Sequence, residues 1–200
     1  MFLTTFLRTA CAPGRTLHPP CPTKSNGDFA MESFEIASDL LASPDEVWPH
    51  LLNMESINAE LAPIRMSYPA ALPLSAIDPR QIPLGRVLFQ SWVMLYRVIP
   101  LDRHALCLTE ITPGQGFHEE STTWLQKHWI HDRRLTPCGT GSRVTDRLSF
   151  EPRLPGLGPL MAPIVRSTFE RRHHRLRQRF GSANPGAVPR CQDLPQVSAG

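Results

Sequence analysis

Two stretches decide the fold of this 200-residue chain: FHEESTTWLQKHWIHDRRL at residues 117–135 and GSRVTDRLSF at residues 141–150. Both alternate in polarity with a period of two, which predicts strands whose successive side chains point to opposite faces of a sheet. One alternating set is almost wholly polar and indicates the face toward solvent. The other set holds the large apolar residues and is predicted to face the interior. Four ionisable side chains belong to this second set: Glu119, His131, Arg133 and Asp146.

The four inward ionisable side chains allow two interpretations, because an unpaired ionised group costs several kcal/mol to bury. They can form a buried network of ion pairs and hydrogen bonds that fixes the register of the sheet. They can instead form the polar floor of an apolar cavity, where they orient one polar end of a ligand. In the second case Trp129, which shares the face of His131, supplies one apolar wall, and Trp92 is a further candidate for that role.

The composition is that of a globular chain, with 41% hydrophobic and 20% charged residues. The formal net charge of +3 is too small to indicate a nucleic-acid partner, and no apolar run reaches the roughly 18 residues that a membrane span needs. The five cysteines are odd in number and contain no C-x-x-C pair, which argues against a disulfide framework and favours the cytoplasm. His128 and His131, three apart in a predicted strand, point to opposite faces. We therefore expect no metal site, and we also expect no cofactor.

The two ends of the chain differ from its centre. Residues 1–30 are predicted to be a disordered or non-native leader, because Arg8 interrupts the apolar stretch that a secretory signal requires. Patterned sequence begins right after Met31, so Met1 and Met31 both stay open as the true start. Residues 31–181 are the predicted folded domain. Residues 182–200 are rich in Pro, Gly and Ser and are predicted to be a disordered tail.

Inside the domain the pattern predicts a first strand, followed by a helix that Ser43 caps and Pro44 begins. Pro49 should break this helix early, which gives two short helices. Several antiparallel strands follow. Residues 160–180 place apolar side chains at three-and-four spacing, which predicts a C-terminal helix with an apolar stripe against the sheet and Pro163 in its first turn. This order is typical of an α+β fold in which a curved antiparallel sheet wraps a long helix.

Five short motifs mark the domain. They are SPDEVW at residues 43–48, F-x-E from Phe117, W-x-H-x-R-x-L from Trp129, G-S-x-x-x-D-x-L-x-F from Gly141 and F-x-x-R-H from Phe169. With these motifs the chain resembles the START/Bet v 1-like helix-grip superfamily, also called SRPBCC or polyketide cyclase/dehydrase-like, and a bacterial subgroup of it in particular. The sequence departs from that subgroup at Arg133, where histidine is more common, and at WLQ (residues 124–126), where Gly-Pro-aromatic is usual.

The resemblance implies that the sheet and the long helix enclose a space lined by inward side chains. It implies a partner that is a small hydrophobic or amphipathic molecule, with the four inward ionisable residues at its polar end. The alternative is a cyclase/dehydrase-type enzyme in which His131 and a neighbouring carboxylate move protons in the same cavity. The sequence contains no nucleophile elbow and no phosphate loop, so acyl-transfer and phosphate chemistry are not expected.

A third hypothesis concerns the arginine-rich stretch RSTFERRHHRLRQRF at residues 166–180. It could form a nucleic-acid-binding face, or it could be the solvated back of a helix with cations near the C-terminal end, where the helix dipole favours them. Binding of single strands requires aromatic residues interleaved with exposed arginines, and the stretch lacks that pattern. We therefore expect no nucleic-acid partner. The sequence leaves the oligomeric state and the identity of the ligand open.

Overall fold

The computed structural model describes residues 20–21, 31–69 and 82–183 of the chain. The predicted leader and tail therefore lie almost wholly outside the described residues. The elements of the domain are β1 (Glu32–Leu40), α1 (Pro44–Leu51), α2 (Met54–Leu61), β2 (Ile64–Met66), β3 (Arg86–Leu95), β4 (Ile99–Thr112), β5 (Gly116–Thr123), β6 (Gln126–Cys138), β7 (Gly141–Pro152) and α3 (Gly158–Phe180).

Within the described residues, seven strands form one antiparallel sheet in the order β1-β7-β6-β5-β4-β3-β2. The curved sheet, the two short helices after β1 and the C-terminal helix α3 confirm the predicted helix-grip fold. The register pairs Glu119 with His131 across β5 and β6, and Arg133 with Asp146 across β6 and β7. Because directly opposite residues share a face of the sheet, this register gathers the four ionisable side chains on one side.

Two short helices connect β1 to β2, as predicted, although Pro49 is not the point of division. Ser43 and Glu46 form a capping box at the start of α1, with a 2.8 Å hydrogen bond from the Ser43 amide to the Glu46 carboxylate. The helix continues through Pro49 and ends at Leu51. Asn53 then caps α2, because its side-chain oxygen accepts hydrogen bonds from the amides of the second and third residues that follow.

Helix α3 begins at Gly158, so Pro163 lies inside the helix rather than in its first turn. Leu160 and Ile164, which were expected in the apolar stripe, are 62% and 53% exposed. The buried stripe starts further along the helix, at Thr168, Phe169, Arg172, His173 and Leu176. Ile164 borders a cavity instead of packed side chains, whereas Leu160 is not part of the cavity lining. Among the described helices, none is long and apolar enough to span a membrane.

The core has two apolar clusters. One cluster joins α1 and α3 to the β1, β6 and β7 strands through Leu40, Val47, Leu51, Leu135, Val144 and Leu176, all at most 1% exposed. The other cluster contains Met54, Ile82, Leu88, Phe89 and Leu108. Leu51 of the first cluster and Met54 and Leu108 of the second also line the cavity. Both clusters therefore border open space.

The expectation of reduced thiols is wrong for one pair of cysteines. Pro20 pairs with Arg86 at the start of β3, and this places Cys21 in a disulfide with Cys107 on β4, with the two Cα atoms 5.9 Å apart. The two cysteines are 86 residues apart in sequence, and their spacing gave no indication of the contact. The prediction of a cytoplasmic location, which rested on the cysteines, loses that support because disulfides persist mainly in oxidising compartments.

Candidate functional site

A cavity of about 410 Å³ lies between the sheet, α2 and α3. Its volume falls within the range of small-molecule binding sites. Most of its lining in the described part of the chain is apolar, with Met54 and Ile57 from α2, Leu108 and Trp129 from the sheet, and Phe169 from α3. Apolar side chains from two helices and the sheet therefore enclose a space that they do not fill.

Polar side chains reach the cavity at a few positions. They are Asp102, His104, Glu119, Thr123, Gln126, His131, Thr168 and Arg172. Three of them, His104, Glu119 and His131, come from the adjacent strands β4, β5 and β6 and contact one another in a row. The cavity thus has one polar end within a mostly apolar wall, an arrangement that can orient a ligand.

The prediction that the four ionisable side chains share the interior is confirmed, since Glu119 and His131 are about 5% exposed or less and Arg133 and Asp146 are 0% exposed. The structure then separates them into two layers. Glu119 and His131 line the cavity together with Trp129, whereas Arg133 and Asp146 lie behind them and do not reach its surface. The role of these residues in ligand binding stays a prediction.

Trp92, the sixth predicted site residue, is not brought to the cavity. Its side chain lies on the outer surface of the sheet, 37% exposed, and packs edge-on against Trp124 with ring centroids 4.9 Å apart. The guanidinium of Arg103 lies 5.4 Å from the centroid of the Trp92 ring. Strand β3 is apolar on both alternating faces, so its sequence did not indicate which face is inward.

Asp146 is the centre of the buried layer. Arg133 donates to both of its oxygens, from Nε and Nη2, at 2.6 Å each. Nε2 of His131 lies 3.0 Å from Oδ1, and Nε2 of His173 on α3 lies 3.1 Å from Oδ2. Burial raises the pKa of Asp146, but the adjacent Arg133 and His131 outweigh burial and hold that pKa well below its usual range. The carboxylate is therefore ionised and connects β6, β7 and α3.

Glu119 connects two imidazoles at the cavity surface. Its Oε1 accepts a hydrogen bond from Nε2 of His104 at 2.6 Å and another from the hydroxyl of Ser121 at 2.6 Å. Its Oε2 lies 3.6 Å from Nδ1 of His131. Burial raises the pKa of Glu119, but His104 and His131 reverse that effect and lower the pKa well below its usual range. The group that faces the cavity is therefore a carboxylate and not a carboxylic acid.

His131 stands between these two carboxylates. Burial lowers the pKa of His131, but Asp146 and Glu119 outweigh burial and raise the pKa above its usual value of 6.5. In the imidazolium form both ring nitrogens carry protons and face carboxylate oxygens, so the ring has no lone pair for base chemistry. Phe117 and Phe169 pack edge-on against the ring at centroid distances of 5.2 Å each and fix its plane.

A second buried ion pair connects α2 to α3 beside the cavity. Glu60 Oε2 accepts hydrogen bonds from Nε and Nη2 of Arg172 at 3.1 and 3.0 Å, and Nη1 of Arg133 lies 3.5 Å away. Nε2 of His50 lies 2.9 Å from the other oxygen. Burial raises the pKa of Glu60, but Arg172, His50 and Arg133 lower it to about 2. This pair fixes the helix that carries Met54 and Ile57 into the cavity wall.

Sequence reasoning did not assign Glu60, His104, Arg172 or His173 to the site. The motif F-x-x-R-H contained Arg172 and His173, so the indication for those two was present in the last helix. His104 occupies an inward position on β4, where the alternation predicted a strand but no partner for the imidazole. Glu60 lies on a short helix, and nothing in its local sequence marks it as buried.

The cavity surface also includes Gln126, which is 2% exposed. Its backbone amide donates to the hydroxyl oxygen of Thr123 at 2.9 Å, while its side-chain oxygen has no hydrogen-bond partner among the described residues. A buried amide oxygen of this kind ordinarily accepts a hydrogen bond. In the same part of the chain, no group of three His, Cys, Asp or Glu side chains is arranged to hold a metal ion.

Solved structures with the same architecture support the fold assignment. Protein CV1439 from Chromobacterium violaceum is 12% identical, with a TM-score of 0.57 over 76% of this chain and 98% of that chain. A START superfamily protein from Mycobacterium smegmatis is 15% identical, with a TM-score of 0.53 over 75% and 96% of the two chains. Protein Mll3558 from Rhizobium loti is 15% identical, with a TM-score of 0.51 over 72% and 96%. The resemblance to the START/Bet v 1-like helix-grip superfamily is therefore confirmed at the level of the fold.

Sequence comparison adds one match. A family model described as Domain of unknown function (DUF8410) matches residues 38–180. No curated protein matches the chain. The matched region contains all of α1, α2 and α3 and every residue of the cavity lining.

Proposed function

The chain belongs to the family of that domain of unknown function, and for this member we propose that the cavity binds a small, mostly apolar molecule with one polar end. The observation that carries the proposal is the 410 Å³ apolar space with the Glu119 carboxylate and the His131 imidazole at one place on its wall. Residues at this position can orient a ligand, while the rest of the wall supplies contact area.

The size of the cavity supports a binding role over incomplete packing. At about 410 Å³ the space lies within the range of small-molecule sites, and lining residues such as Ile164 and Leu101, 53% and 42% exposed, open it to solvent. A mostly apolar wall that solvent can reach favours an apolar occupant, because binding removes that wall from water.

We assign different roles to the predicted site residues. Glu119 and His131 form the polar end, and Trp129 is an apolar wall beside it, with its ring 6.4 Å from that of Phe169. Arg133 and Asp146 act as positioning residues, because they hold His131 in place from behind the cavity surface. Trp92 has no role in this proposal.

A fluorescent apolar amine, N-phenyl-1-naphthylamine, tests the binding role because its emission rises in apolar surroundings. The wild-type protein should bind it saturably. Leu106→Trp, which adds volume to a side chain that lines the cavity, should weaken binding at least about tenfold, equal to about 1.4 kcal/mol. Thr145→Trp introduces the same side chain on the polar outer face of β7 and should bind like wild type. Equal binding by both variants would place the probe elsewhere and contradict the proposal.

A second candidate is a cyclase/dehydrase-type enzyme that uses the same cavity. The observation in its favour is that His131 faces the cavity with carboxylates on both sides. Both ring nitrogens of His131 already face carboxylate oxygens of the protein, which leaves neither of them directed at a substrate, so we rank this function below binding. An enzyme should lose turnover in His131→Gln while the fluorescent probe still binds, whereas a carrier has no turnover to lose.

A further inference from the structure

We propose that the cavity selects uncharged molecules whose polar end donates a hydrogen bond, and that Oε2 of Glu119 accepts this bond. The inference rests on the proposed binding function and goes further, because it names the chemistry of the ligand head. Alcohols and phenols fit this description, whereas molecules that end in a carboxylate do not.

Glu119 keeps hydrogen-bonding capacity on one of its two carboxylate oxygens. An ionised carboxylate has about four acceptor positions on its two oxygens. Oε1 already accepts from His104 and Ser121 at 2.6 Å each. Oε2 has one neighbouring donor among the described residues, Nδ1 of His131 at 3.6 Å, beyond the roughly 3.2 Å of a good N–H···O bond. Glu119 is 5% exposed, so its Oε2 is a buried charged acceptor without a well-placed donor. A ligand hydroxyl that donates to this oxygen gains a hydrogen bond to a charged group.

The buried charges beside the cavity are already paired with one another. They include three carboxylates, on Glu60, Glu119 and Asp146. Arg172 pairs with Glu60, Arg133 pairs with Asp146, and the imidazoles of His104 and His131 lie on either side of Glu119. A ligand that brings its own charge would leave that charge without a partner in a poorly hydrated place.

A carboxylate ligand would need a cation at the cavity surface. Arg172 lines the cavity, but its Nε and Nη2 already donate to the Glu60 carboxylate. Asp102, which also lines the cavity and is half-buried, adds a further acidic group. The one guanidinium in the described lining is therefore already paired with a carboxylate, and Glu119 and Asp102 add repulsion toward an acidic head.

The geometry of the sheet tells where the body of the ligand lies. Glu119 pairs with His131 and Ser121 pairs with Trp129, so these are successive inward positions on β5 and β6. Residues two apart on a strand are separated by about 6.8 Å, which is close to the span of one aromatic ring with its substituents. A hydroxyl at Glu119 therefore places the adjoining apolar part of the molecule against Trp129.

Three probes of equal chain length test the inference at pH 8: decan-1-ol, its methyl ether and decanoate, each competing with bound N-phenyl-1-naphthylamine. The alcohol should displace the dye at concentrations about tenfold lower than the ether needs, because the ether cannot donate a hydrogen bond to a charged acceptor. Decanoate should be weaker than the alcohol by about tenfold or more. An ether as tight as the alcohol, or decanoate as tight as the alcohol, would overturn the inference. A wild-type protein that binds neither the dye nor any probe would instead refute the proposed binding function.

Two matched variants assign the selectivity to one carboxylate. Glu119→Gln should reduce the preference for alcohol over decanoate to less than about threefold, because it removes the negative charge at the ligand head and supplies an amide donor. Glu120→Gln makes the same change on the opposite face of the same strand, away from the cavity, and should keep the wild-type preference. An unchanged preference in Glu119→Gln contradicts the assignment. If Glu119→Gln does not fold, the three-probe comparison in wild type still decides between the two outcomes.

Discussion

Replacing Asp146 with asparagine removes the charge on which the buried layer depends. Arg133 is 0% exposed and donates two hydrogen bonds of 2.6 Å to this carboxylate, and its next acid, Glu60, is 3.5 Å from a different nitrogen. An asparagine keeps one acceptor oxygen but turns an amide N–H₂ toward a guanidinium donor. Removing one partner of a buried ion pair costs 3–5 kcal/mol in comparable cases, so we expect Asp146→Asn to lower the free energy of unfolding by about 4 kcal/mol.

The matched control is Asp132→Asn on the outer face of β6. Asp132 also pairs with an arginine through two contacts, from Nη2 and Nε of Arg134 at 2.8 and 3.2 Å, but that guanidinium is 36% exposed. Pairs of this kind contribute about 1 kcal/mol or less. The two variants therefore compare the same Asp→Asn change in a buried and in a solvent-exposed Arg–Asp ion pair.

Urea unfolding followed by circular dichroism at 222 nm measures both variants. With a denaturant slope of about 2 kcal/mol per M, a loss of about 4 kcal/mol lowers the midpoint by about 2 M, whereas the control should shift by about 0.5 M or less. Midpoints for Asp146→Asn and Asp132→Asn that agree within about 0.5 M would refute the reasoning, because they would show that the buried guanidinium finds equivalent solvation without Asp146.

Three further predictions concern pH, the aromatic wall and the disulfide. The raised pKa of His131 stabilises the fold fully below pH 6.5, and this stabilisation is lost as pH rises through the folded-state pKa. In urea unfolding, wild type should therefore exceed His131→Gln in stability by more at pH 6 than at pH 9. A larger excess at pH 9 would contradict this prediction. Trp129→Ala should weaken dye binding at least about fivefold, because it removes part of the cavity wall, while Trp92→Ala on the outer surface should leave the affinity unchanged. A larger loss of affinity in Trp92→Ala than in Trp129→Ala would contradict the placement of both rings. Cys21→Ala should lower the melting temperature, because the Cys21–Cys107 disulfide closes a loop of 86 residues and can add up to about 4 kcal/mol to the free energy of unfolding. Equal melting temperatures for wild type and Cys21→Ala would show that the disulfide does not form in solution.

The alternation of residues 117–150 was sufficient to predict the part of the site that lies on β5, β6 and β7. Strand side chains alternate strictly, so the inward positions of Glu119, His131, Arg133 and Asp146 follow from a local rule. Burial of all four side chains is then a consequence of covering one face of the sheet with α3. This part required no knowledge of distant contacts.

The remaining parts of the site depend on contacts between distant segments. Glu60 becomes buried because α2 packs beside α3, and α2 alone gives no reason for it. Trp92 lies outside because the pairing of β3 with β4 includes register shifts, which an apolar run does not reveal. Ile164 borders the cavity and Leu160 lies exposed outside it, so the apolar spacing of these two residues predicted packing that the fold does not provide. Periodicity tells which residues share a face, but it does not tell what covers that face.

The most direct test of the binding function is native mass spectrometry of the protein purified from its own host without denaturation. The account predicts a folded mass that exceeds the chain mass by one small molecule, which is released on acid denaturation and is missing from Leu106→Trp prepared in the same way. A folded mass equal to that of the chain, or an adduct retained equally by wild type and Leu106→Trp, would contradict the claim that this cavity is a ligand-binding site.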